Sequence, residues 1–146
     1  MSKSEIYARL LFDYSGLSRC AVKKSSSLIA MNGEIVSFGV NGAPRKSLNC
    51  DAIFSKEDTD GHDEFSKYWE LDSSANAIVR AMKVVGSLDG AQLWTMYCPA
   101  PEEIKFIRSV GINTIRYILP GDVNIDTTVG LCGHMGINIE QIDGGE

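Results

Sequence analysis

Acidic side chains stand at two places where the sequence predicts that a helix begins. Asp72 opens a segment, residues 71–81, whose apolar residues recur at helical spacing, and Glu102 and Glu103 open a second segment of this kind. Carboxylates grouped in this way can bind Mg²⁺ or Mn²⁺ beside a phosphate. The same side chains can also stabilise the positive end of a helix dipole without any metal, so both interpretations stay open.

Four cysteines form the second group of chemically competent residues: Cys20, Cys50, Cys98 and Cys132. The N-terminal residues lack the apolar core of a signal peptide, and no apolar run approaches the ~20 residues that span a bilayer. We therefore expect a cytoplasmic protein with no membrane contact. In that compartment cysteines stay as free thiols or bind metals, and disulfides are rare.

Composition limits the partners that the chain can have. Its 146 residues predict a single domain, 1–146, that is long enough to bury a core. Hydrophobic residues make up 44% and charged residues 23%, which is ordinary for a soluble globular protein. The net charge of −5 argues against an extended nucleic-acid surface, because phosphate backbones are bound by clustered Lys and Arg. The same net charge does not exclude a pocket that binds one nucleotide.

The elements that must position these residues follow from periodicity and turn signals. Helical spacing predicts helices over residues 5–14, 73–85, 101–110 and 125–135. Short apolar runs predict strands over residues 28–31, 34–40, 91–97, 113–119 and 136–142. Ile6, Leu10 and Tyr14 mark the apolar face of the first helix, with Leu11 beside them. The polar stretch 56–62 is expected to be exposed, and residues 63–69 to form a partial helical turn.

The order of these elements predicts the fold class. Asn32-Gly33 is a strong hairpin signal, so the first two strands should pair antiparallel. From residue 91 onward strands alternate with helices, which predicts parallel pairing with right-handed crossovers. The prediction is an α/β protein, a three-layer α/β/α sandwich with a mixed five-stranded sheet.

Several short motifs occur in an order that resembles one protein family. They are Gly39-Val40-Asn41-Gly42-Ala43-Pro44, Asn49-Cys50, Asn76-Ala77-Ile78, Pro99 and Glu103-Ile104-Lys105-Phe106-Ile107. This order resembles the zinc-dependent cytidine and deoxycytidylate (dCMP) deaminases, and it is most similar to the dCMP deaminases of T-even phages. The resemblance covers most of the chain. It implies the same cytidine deaminase-like sandwich that the element order predicts.

The resemblance also implies which residues stand at the four chemical positions of these deaminases. The family signature is His-x-Glu followed by Pro-Cys-x-x-Cys. Here Asp72 falls on the metal-binding His, Ser74 on the catalytic Glu, and Ala100 and Glu103 on the two metal-binding Cys. Ala100 has no donor atom, and Ser74 cannot act as a carboxylate acid or base. We therefore expect no catalytic zinc and no ordinary hydrolytic deamination.

A second, structural zinc belongs to the T-even phage dCMP deaminases, and the resemblance places its ligands on Cys20, Cys50, His62 and Glu70. All four ligand types match, and together they can form a closed tetrahedral site. Such a site would fix the polar segment 41–70 to the body of the domain. The alternative is two buried free thiols beside a surface His and a surface Glu.

The resemblance further implies a nucleotide site. Asn41 falls on a residue that touches the sugar of the substrate, and Asn76 falls on one that lies at the substrate pocket. Gly42 belongs to the loop that binds triphosphate effectors in allosteric dCMP deaminases, and Arg45 and Lys46 follow it with charges that can hold phosphate. Pyrimidine deoxynucleotides are the first candidates. The alternative is a polar turn with two solvated charges.

These expectations define the predicted function: a catalytically inactive dCMP-deaminase-like protein, encoded by a phage, that binds a nucleotide, a partner protein, or both. Its role would be that of a sensor, a sponge or a regulatory subunit. The alternatives are a reassigned chemistry on a nucleotide in the old pocket, or residual dCMP deaminase activity. The oligomers of the family imply a homo-oligomer, or a hetero-oligomer with an active deaminase, in the host cytoplasm.

Overall fold

A mixed five-stranded sheet in the order β2-β1-β3-β4-β5 organises residues 1–144, which the computed structural model describes. The strands are β1 Ser26–Met31, β2 Glu34–Val40, β3 Gln92–Tyr97, β4 Thr114–Leu119 and β5 Asn138–Gln141. The helices are α1 Lys3–Ser15, α2 His62–Trp69, α3 Ser73–Val85, α4 Ile104–Ser109 and α5 Ile125–Met135, with 3₁₀ turns at Cys50–Ala52 and Pro101–Glu103. None of the helices in residues 1–144 has both the length and the apolar character that crossing a membrane requires.

Strand pairing confirms the predicted fold class. β1 pairs antiparallel with β2 and with β3, whereas β3, β4 and β5 run parallel. The hairpin between β1 and β2 turns at Asn32 and Gly33, whose φ values are 52° and 80°. These are the left-handed conformations that a two-residue turn between twisted antiparallel strands favours, which is why Asn-Gly predicted it correctly.

Each face of the sheet carries its own core, because alternate residues of a strand point to opposite faces. On one face Ile29 and Leu93 belong to a cluster that includes buried residues of α3, α4 and α5. On the other face Leu28 and Trp94 pack with buried residues of α1. Helices therefore cover both faces of the sheet, and the three predicted layers are confirmed.

The buried face of α1 differs from the predicted one. Ile6 and Leu10 are 42% and 37% exposed, whereas the core-facing side of the helix carries Tyr7 and Leu11. The helix has apolar residues on two adjoining faces, so spacing alone does not decide which face packs. The edge-on contact between Tyr7 and Trp94, with ring centroids 4.7 Å apart, fixes the orientation.

Other differences from the predicted elements are local. The predicted helix over 101–110 divides into the 3₁₀ turn at Pro101–Glu103 and the short α4. Residues 56–61 are exposed as expected, but His62 is buried and begins the full helix α2 where a partial turn was predicted. α3 has the predicted bounds, and Gly86 ends it in the left-handed conformation.

Gly39 of β2 permits a close approach between the sheet and α3. A Cβ atom at this position would lie 2.3 Å from the Ala77 backbone nitrogen and 2.6 Å from the Ser73 carbonyl oxygen. Both are backbone atoms, which cannot move aside without shifting the helix. The missing side chain therefore sets the distance between β2 and the N-terminal half of α3.

We predict that Gly39→Ala destabilises the fold by about 3 kcal/mol, because the added methyl group must push α3 away from β2. Gly130 in α5 provides a matched control, since a Cβ there meets nothing within 4 Å and Ala is the better helix former. Chemical denaturation measures both variants. An unchanged free energy of unfolding in Gly39→Ala would contradict this packing.

Candidate functional site

One cavity of about 290 Å³ is bordered by all four residues predicted at the chemical positions. Asp72 and Ser74 come from the start of α3, whereas Ala100 and Glu103 come from the 3₁₀ turn that follows β3. Asp72 is the N-cap residue of α3, and Ser74 is buried in its first turn. The fold thus brings together residues that lie about thirty positions apart in the chain.

The Glu103 carboxyl group occupies the centre of this cluster of four residues. It accepts hydrogen bonds from the Ala100 backbone N–H at 2.7 Å and from the Ser74 hydroxyl at 3.2 Å. Burial raises the pKa of Glu103 to about 8, aided by the hydrogen bond and negative charge of Asp72 and opposed by the Ala100 and Ser74 donors. Near neutral pH the Glu103 carboxyl group therefore keeps its proton.

A row of four hydroxyl groups lies at the cavity wall, where Ser25, Ser73 and Thr95 line the cavity, and sequence reasoning missed it. Ser25 and Ser73 lie 3.1 Å apart, Ser73 and Ser27 lie 2.8 Å apart, and Ser27 donates to Thr95 at 2.8 Å. Ser27, Ser73 and Thr95 are buried. The available signal was the alternation along β1, which turns Ser25 and Ser27 to the same side.

The cavity can exchange protons and form hydrogen bonds, but its donor set does not suit catalytic zinc. Catalytic zinc sites hold the metal with three protein ligands, mostly His, Cys and carboxylates, and leave one position for water. The four positions here supply two carboxyl groups, one hydroxyl and one methyl group. Lys23 adds an ammonium group, which lies 4.0 Å from the centre of the Tyr97 ring.

A second cluster consists of Cys20, Cys50, His62 and Glu70. Each residue offers one ligand atom, and these atoms all lie within 4.8 Å of one another. His62 Nε2 lies 3.4 Å from Cys20 Sγ and 3.4 Å from Glu70 Oε1. Ligand atoms bound to a tetrahedral zinc ion are separated by roughly 3.3–3.8 Å. The cluster, which we call the metal cluster, therefore fits such an ion with little movement.

Glu70 gives an independent sign that the metal cluster suits a cation. Its side chain is 4% exposed, and its Oε2 atom has no hydrogen-bond partner among the described residues. A buried carboxylate oxygen without a partner is costly, and a metal ion would satisfy it. The alternative of a surface His and a surface Glu is wrong, because the His62 side chain is also only 9% exposed.

Backbone groups support the two thiols of the metal cluster. The Lys23 N–H donates to Cys20 Sγ at 3.5 Å, and the Ala21 N–H donates to Cys50 Sγ at 3.3 Å. Burial nevertheless raises the pKa of the Cys20 thiol to about 11. Zinc binding would therefore release a proton and weaken at low pH.

A separate groove of about 380 Å³ is lined by four of the five predicted nucleotide-binding residues: Asn41, Gly42, Arg45 and Asn76. Three further basic residues line it, and they are Arg19, Arg80 and Lys83. No acidic residue in the described part of the chain lines this groove. On a chain with a net charge of −5, such a concentration of positive charge favours an anionic ligand.

Most of the predicted nucleotide-binding residues line the groove rather than the cavity. Asn76 lines the groove and not the cavity, because its side-chain amide donates to the Val40 carbonyl at 2.7 Å. Asn41 lines both sites. Lys46 is exposed, adopts the left-handed conformation with φ of 65°, and lines neither of them.

Sequence comparisons connect this geometry to known proteins. No family model matches the chain. The chain is similar to the deoxycytidylate deaminase of Enterobacteria phage T2, with 25% identity over 155 aligned positions that cover 84% of this chain and 82% of that protein. The deoxycytidylate deaminase of Enterobacteria phage T4 is 24% identical, and the match covers 84% and 80% of the two chains.

Solved structures agree on the architecture. The dCMP deaminase of cyanophage S-TIM5, crystallised with dCMP and dUMP, matches with a TM-score of 0.79 and 23% identity over 97% of this chain and 99% of that one. A diaminohydroxyphosphoribosylaminopyrimidine deaminase/reductase of Thermotoga maritima matches with a TM-score of 0.64 and 14% identity over 94% and 36%. The fold is thus that of the cytidine deaminase-like proteins.

Within that class the sequence similarity is to one kind of enzyme. Both sequence relatives named above are phage deoxycytidylate deaminases, and the match to each spans at least 80% of the relative. The chain is thus similar in sequence to the phage dCMP deaminases and shares the fold of the cyanophage enzyme.

We predict about one zinc ion per chain, held by the metal cluster. Cys50→Ala should lose this ion and several kcal/mol of stability, because the remaining ligands are left under-coordinated. Cys132→Ala is the matched control, since Cys132 is an equally buried thiol outside the cluster. Elemental analysis and thermal melting with chelator measure the outcome. Zinc-free wild-type protein whose melting ignores chelator would rule the site out.

The raised pKa of Glu103 predicts a stability profile with a definite sign. The protonated carboxyl stabilises the fold fully below the ordinary pKa of 4.5, and this contribution is lost as the pH rises through about 8. Glu103→Gln should remove that loss, whereas Glu102→Gln, on the exposed neighbour, should retain it. Urea denaturation between about pH 5 and pH 9 makes the comparison. Parallel profiles for Glu103→Gln and wild type would show that Glu103 titrates normally.

Proposed function

We propose that this dCMP deaminase-like chain no longer deaminates and acts by binding a nucleotide, a partner protein, or both. The observation that carries the proposal is the Glu103 carboxyl group, which is hydrogen-bonded to Ala100 and Ser74 at the positions that supply zinc ligands and the catalytic Glu in the resembling family. Zinc deamination needs a metal-bound water and a Glu that transfers protons. The groups at these positions supply neither, and they form hydrogen bonds with one another instead.

The groove supports nucleotide binding. Its basic side chains can hold phosphate, and its positive charge, of which that of Arg19 is paired with an acidic side chain, Asp51, favours such a ligand over a neutral one. We assign Asn41, Gly42, Arg45 and Asn76 to this site, with the exposed Lys46 beside it. Pyrimidine deoxynucleotides are the first candidates, because the similar cyanophage deaminase was crystallised with dCMP and dUMP.

The metal cluster contributes structure rather than chemistry in this proposal. Its four side chains complete a tetrahedral set with no position left for a reactive water, as in structural zinc sites. Cys20 precedes β1, whereas the other three ligands lie in the polar segment 41–70. The ion would tie that segment to the sheet.

A partner protein is the second element of the proposal. The outer side of α3 presents apolar side chains that are between 39% and 71% exposed: Val79, Met82, Val84 and Val85. A second copy of this chain, or an active deaminase of the same fold, would cover such a surface. The phage relatives favour a phage origin and a role in the host cytoplasm.

Reassigned chemistry is the alternative function, and the carboxyl pair favours it. Asp72 helps to raise the pKa of Glu103 to about 8, which suits a group that donates and accepts protons at neutral pH. Such a pair could act on a nucleotide in the old deaminase cavity without a metal. Residual dCMP deamination belongs to the same alternative.

One experiment separates these functions. With ligand at ~100 times its dissociation constant, a binding protein gains about 2.7 kcal/mol, which raises the melting temperature by several degrees. We predict such a shift with dCMP or another pyrimidine deoxynucleotide, and no ammonia release in the same samples. Arg45→Gln should weaken binding, and the effect should shrink in high salt. Arg108→Gln, an exposed arginine of α4, is the control.

The possible outcomes are distinct. Ammonia release that Asp72→Asn or Glu103→Gln abolishes would overturn the inactive assignment in favour of the carboxyl pair. No shift across mono-, di- and triphosphates at millimolar concentration would remove the nucleotide function. Co-purification of the chain with a deaminase, which ends after Val84→Glu, would then leave the partner function.

A further inference from the structure

A single buried hydroxyl group connects the metal cluster to the loop that begins at Asn41. Ser18 is 3% exposed, and its Oγ atom accepts a hydrogen bond from the Cys20 backbone N–H at 3.2 Å. The same hydroxyl donates to Asn41, whose carbonyl oxygen and side-chain Oδ1 lie at 2.9 Å and 2.8 Å. A displacement of Cys20 would therefore shift Ser18 and, through its hydrogen bonds, Asn41.

A backbone bridge forms the second connection. The Gly42 N–H donates to the Leu71 carbonyl at 3.0 Å, and the Leu71 N–H donates to the Gly42 carbonyl at 2.9 Å. Leu71 directly follows the metal-cluster residue Glu70 and precedes Asp72, which caps α3 at the edge of the cavity. The loop is thus held from both sides by residues adjacent to cluster ligands.

Asn41 connects the loop to both the cavity and the groove through its side-chain hydrogen bonds. Its side-chain amide donates to the Lys23 carbonyl at 2.7 Å, and its Oδ1 atom accepts from the Ser25 N–H at 2.9 Å. Lys23 and Ser25 line the cavity, and Asn41 itself lines both the cavity and the groove. The position of one side chain therefore determines part of the wall of each site.

The segment that follows buries little, and its aromatic packing, Phe54 against His62 and Phe65, is itself built on a cluster ligand. Between Gly42 and Gly61 the one buried residue is the cluster ligand Cys50. Arg19 and Asp51 brace the neighbouring ligands through two side-chain hydrogen bonds of 2.9 Å and 3.0 Å, but both residues are exposed. An exposed ion pair contributes little, so a bound metal would be the main source of local stability.

We propose that metal occupancy of the cluster controls ligand binding, because Ser18 and the Gly42–Leu71 bridge transmit the order of the cluster to Asn41. This inference rests on the proposed nucleotide-binding function and on the cluster holding a metal. The metal itself takes no part in recognising the ligand. By thermodynamic linkage, ligand must raise metal affinity by the same factor by which metal raises ligand affinity.

The test compares zinc-loaded and zinc-stripped protein, with dCMP as the probe. Removing zinc should lower dCMP affinity by about fivefold or more in calorimetry. In the absence of dCMP it should also speed hydrogen exchange at the Gly42 and Leu71 amides. Competition with a chelator should show that dCMP slows zinc loss. Exchange and chelation read the coupling independently of any activity.

Ser18→Ala isolates the connection, since it removes the hydroxyl and leaves all four ligands in place. It should keep its zinc, bind dCMP more weakly than wild type, and lose part of the zinc dependence, because the backbone bridge between Gly42 and Leu71 remains. Ser37→Ala is the matched control, because Ser37 is another partly buried serine whose hydroxyl bonds a distant carbonyl, that of Ala77. It should behave like wild type in every measurement.

Each result decides the matter. The proposal is overturned when zinc removal speeds exchange only within residues 50–70 and leaves the Gly42 amide and dCMP affinity unchanged. It is also overturned when Ser18→Ala retains the full zinc dependence. Failure of dCMP to bind the zinc-loaded protein removes the proposed nucleotide function instead, and hydrogen exchange at Gly42 and Leu71 then decides the coupling alone.

Discussion

The close approach of β2 and α3 at Gly39 is the constraint on which the rest of the site depends. With only a hydrogen atom at this position, the backbone of Ser73 and Ala77 lies directly on the strand. The first turn of α3 is thereby placed where Ser73 meets the hydroxyls of β1 and Ser74 reaches Glu103. The cavity exists because this turn meets the 3₁₀ turn after β3.

Within this frame three kinds of chemistry occupy separate places. The cavity holds the Glu103 carboxyl group, whose pKa is raised by burial. The groove is lined by basic residues without acidic ones, and the metal cluster gathers two thiols, an imidazole and a carboxylate. Asn41 lies between them, since it borders both concave sites and is bonded to Ser18 beside the cluster. Catalysis in the cavity can be lost while the groove and the metal cluster still bind their ligands, because each site depends on different side chains.

Much of the fold could be predicted from local signals. Asn32-Gly33 permits the left-handed turn of the hairpin, and Gly86 ends α3, so the hairpin turn and the end of α3 lie where they were expected. The burial of α1 could not be predicted, because Ile6 and Tyr7 belong to adjoining apolar faces and only the tertiary contact with Trp94 chooses between them. Periodicity describes a helix, whereas its packed face depends on residues distant in sequence.

The candidate site was predictable to a similar degree. The family resemblance implied that Asp72 and Ala100 belong to one site, and both line the same cavity. The direction of Asn76 was not predictable, because a hydrogen bond to the Val40 carbonyl turns its side chain into the groove. The hydroxyl row was missed for a related reason. Ser27 forms its hydrogen bonds with Ser73 and Thr95, which are distant in sequence.

We propose that the chain retains the deaminase frame and that its metal chemistry has been replaced at four positions. The most direct measurement is the zinc content and dCMP deamination of a variant that combines Asp72→His, Ser74→Glu, Ala100→Cys and Glu103→Cys. The account predicts that this variant binds one more zinc ion per chain than wild type and releases ammonia from dCMP, whereas wild type does not. A folded variant that gains neither zinc nor activity, or a wild-type chain that deaminates dCMP as fast as the variant, would contradict it.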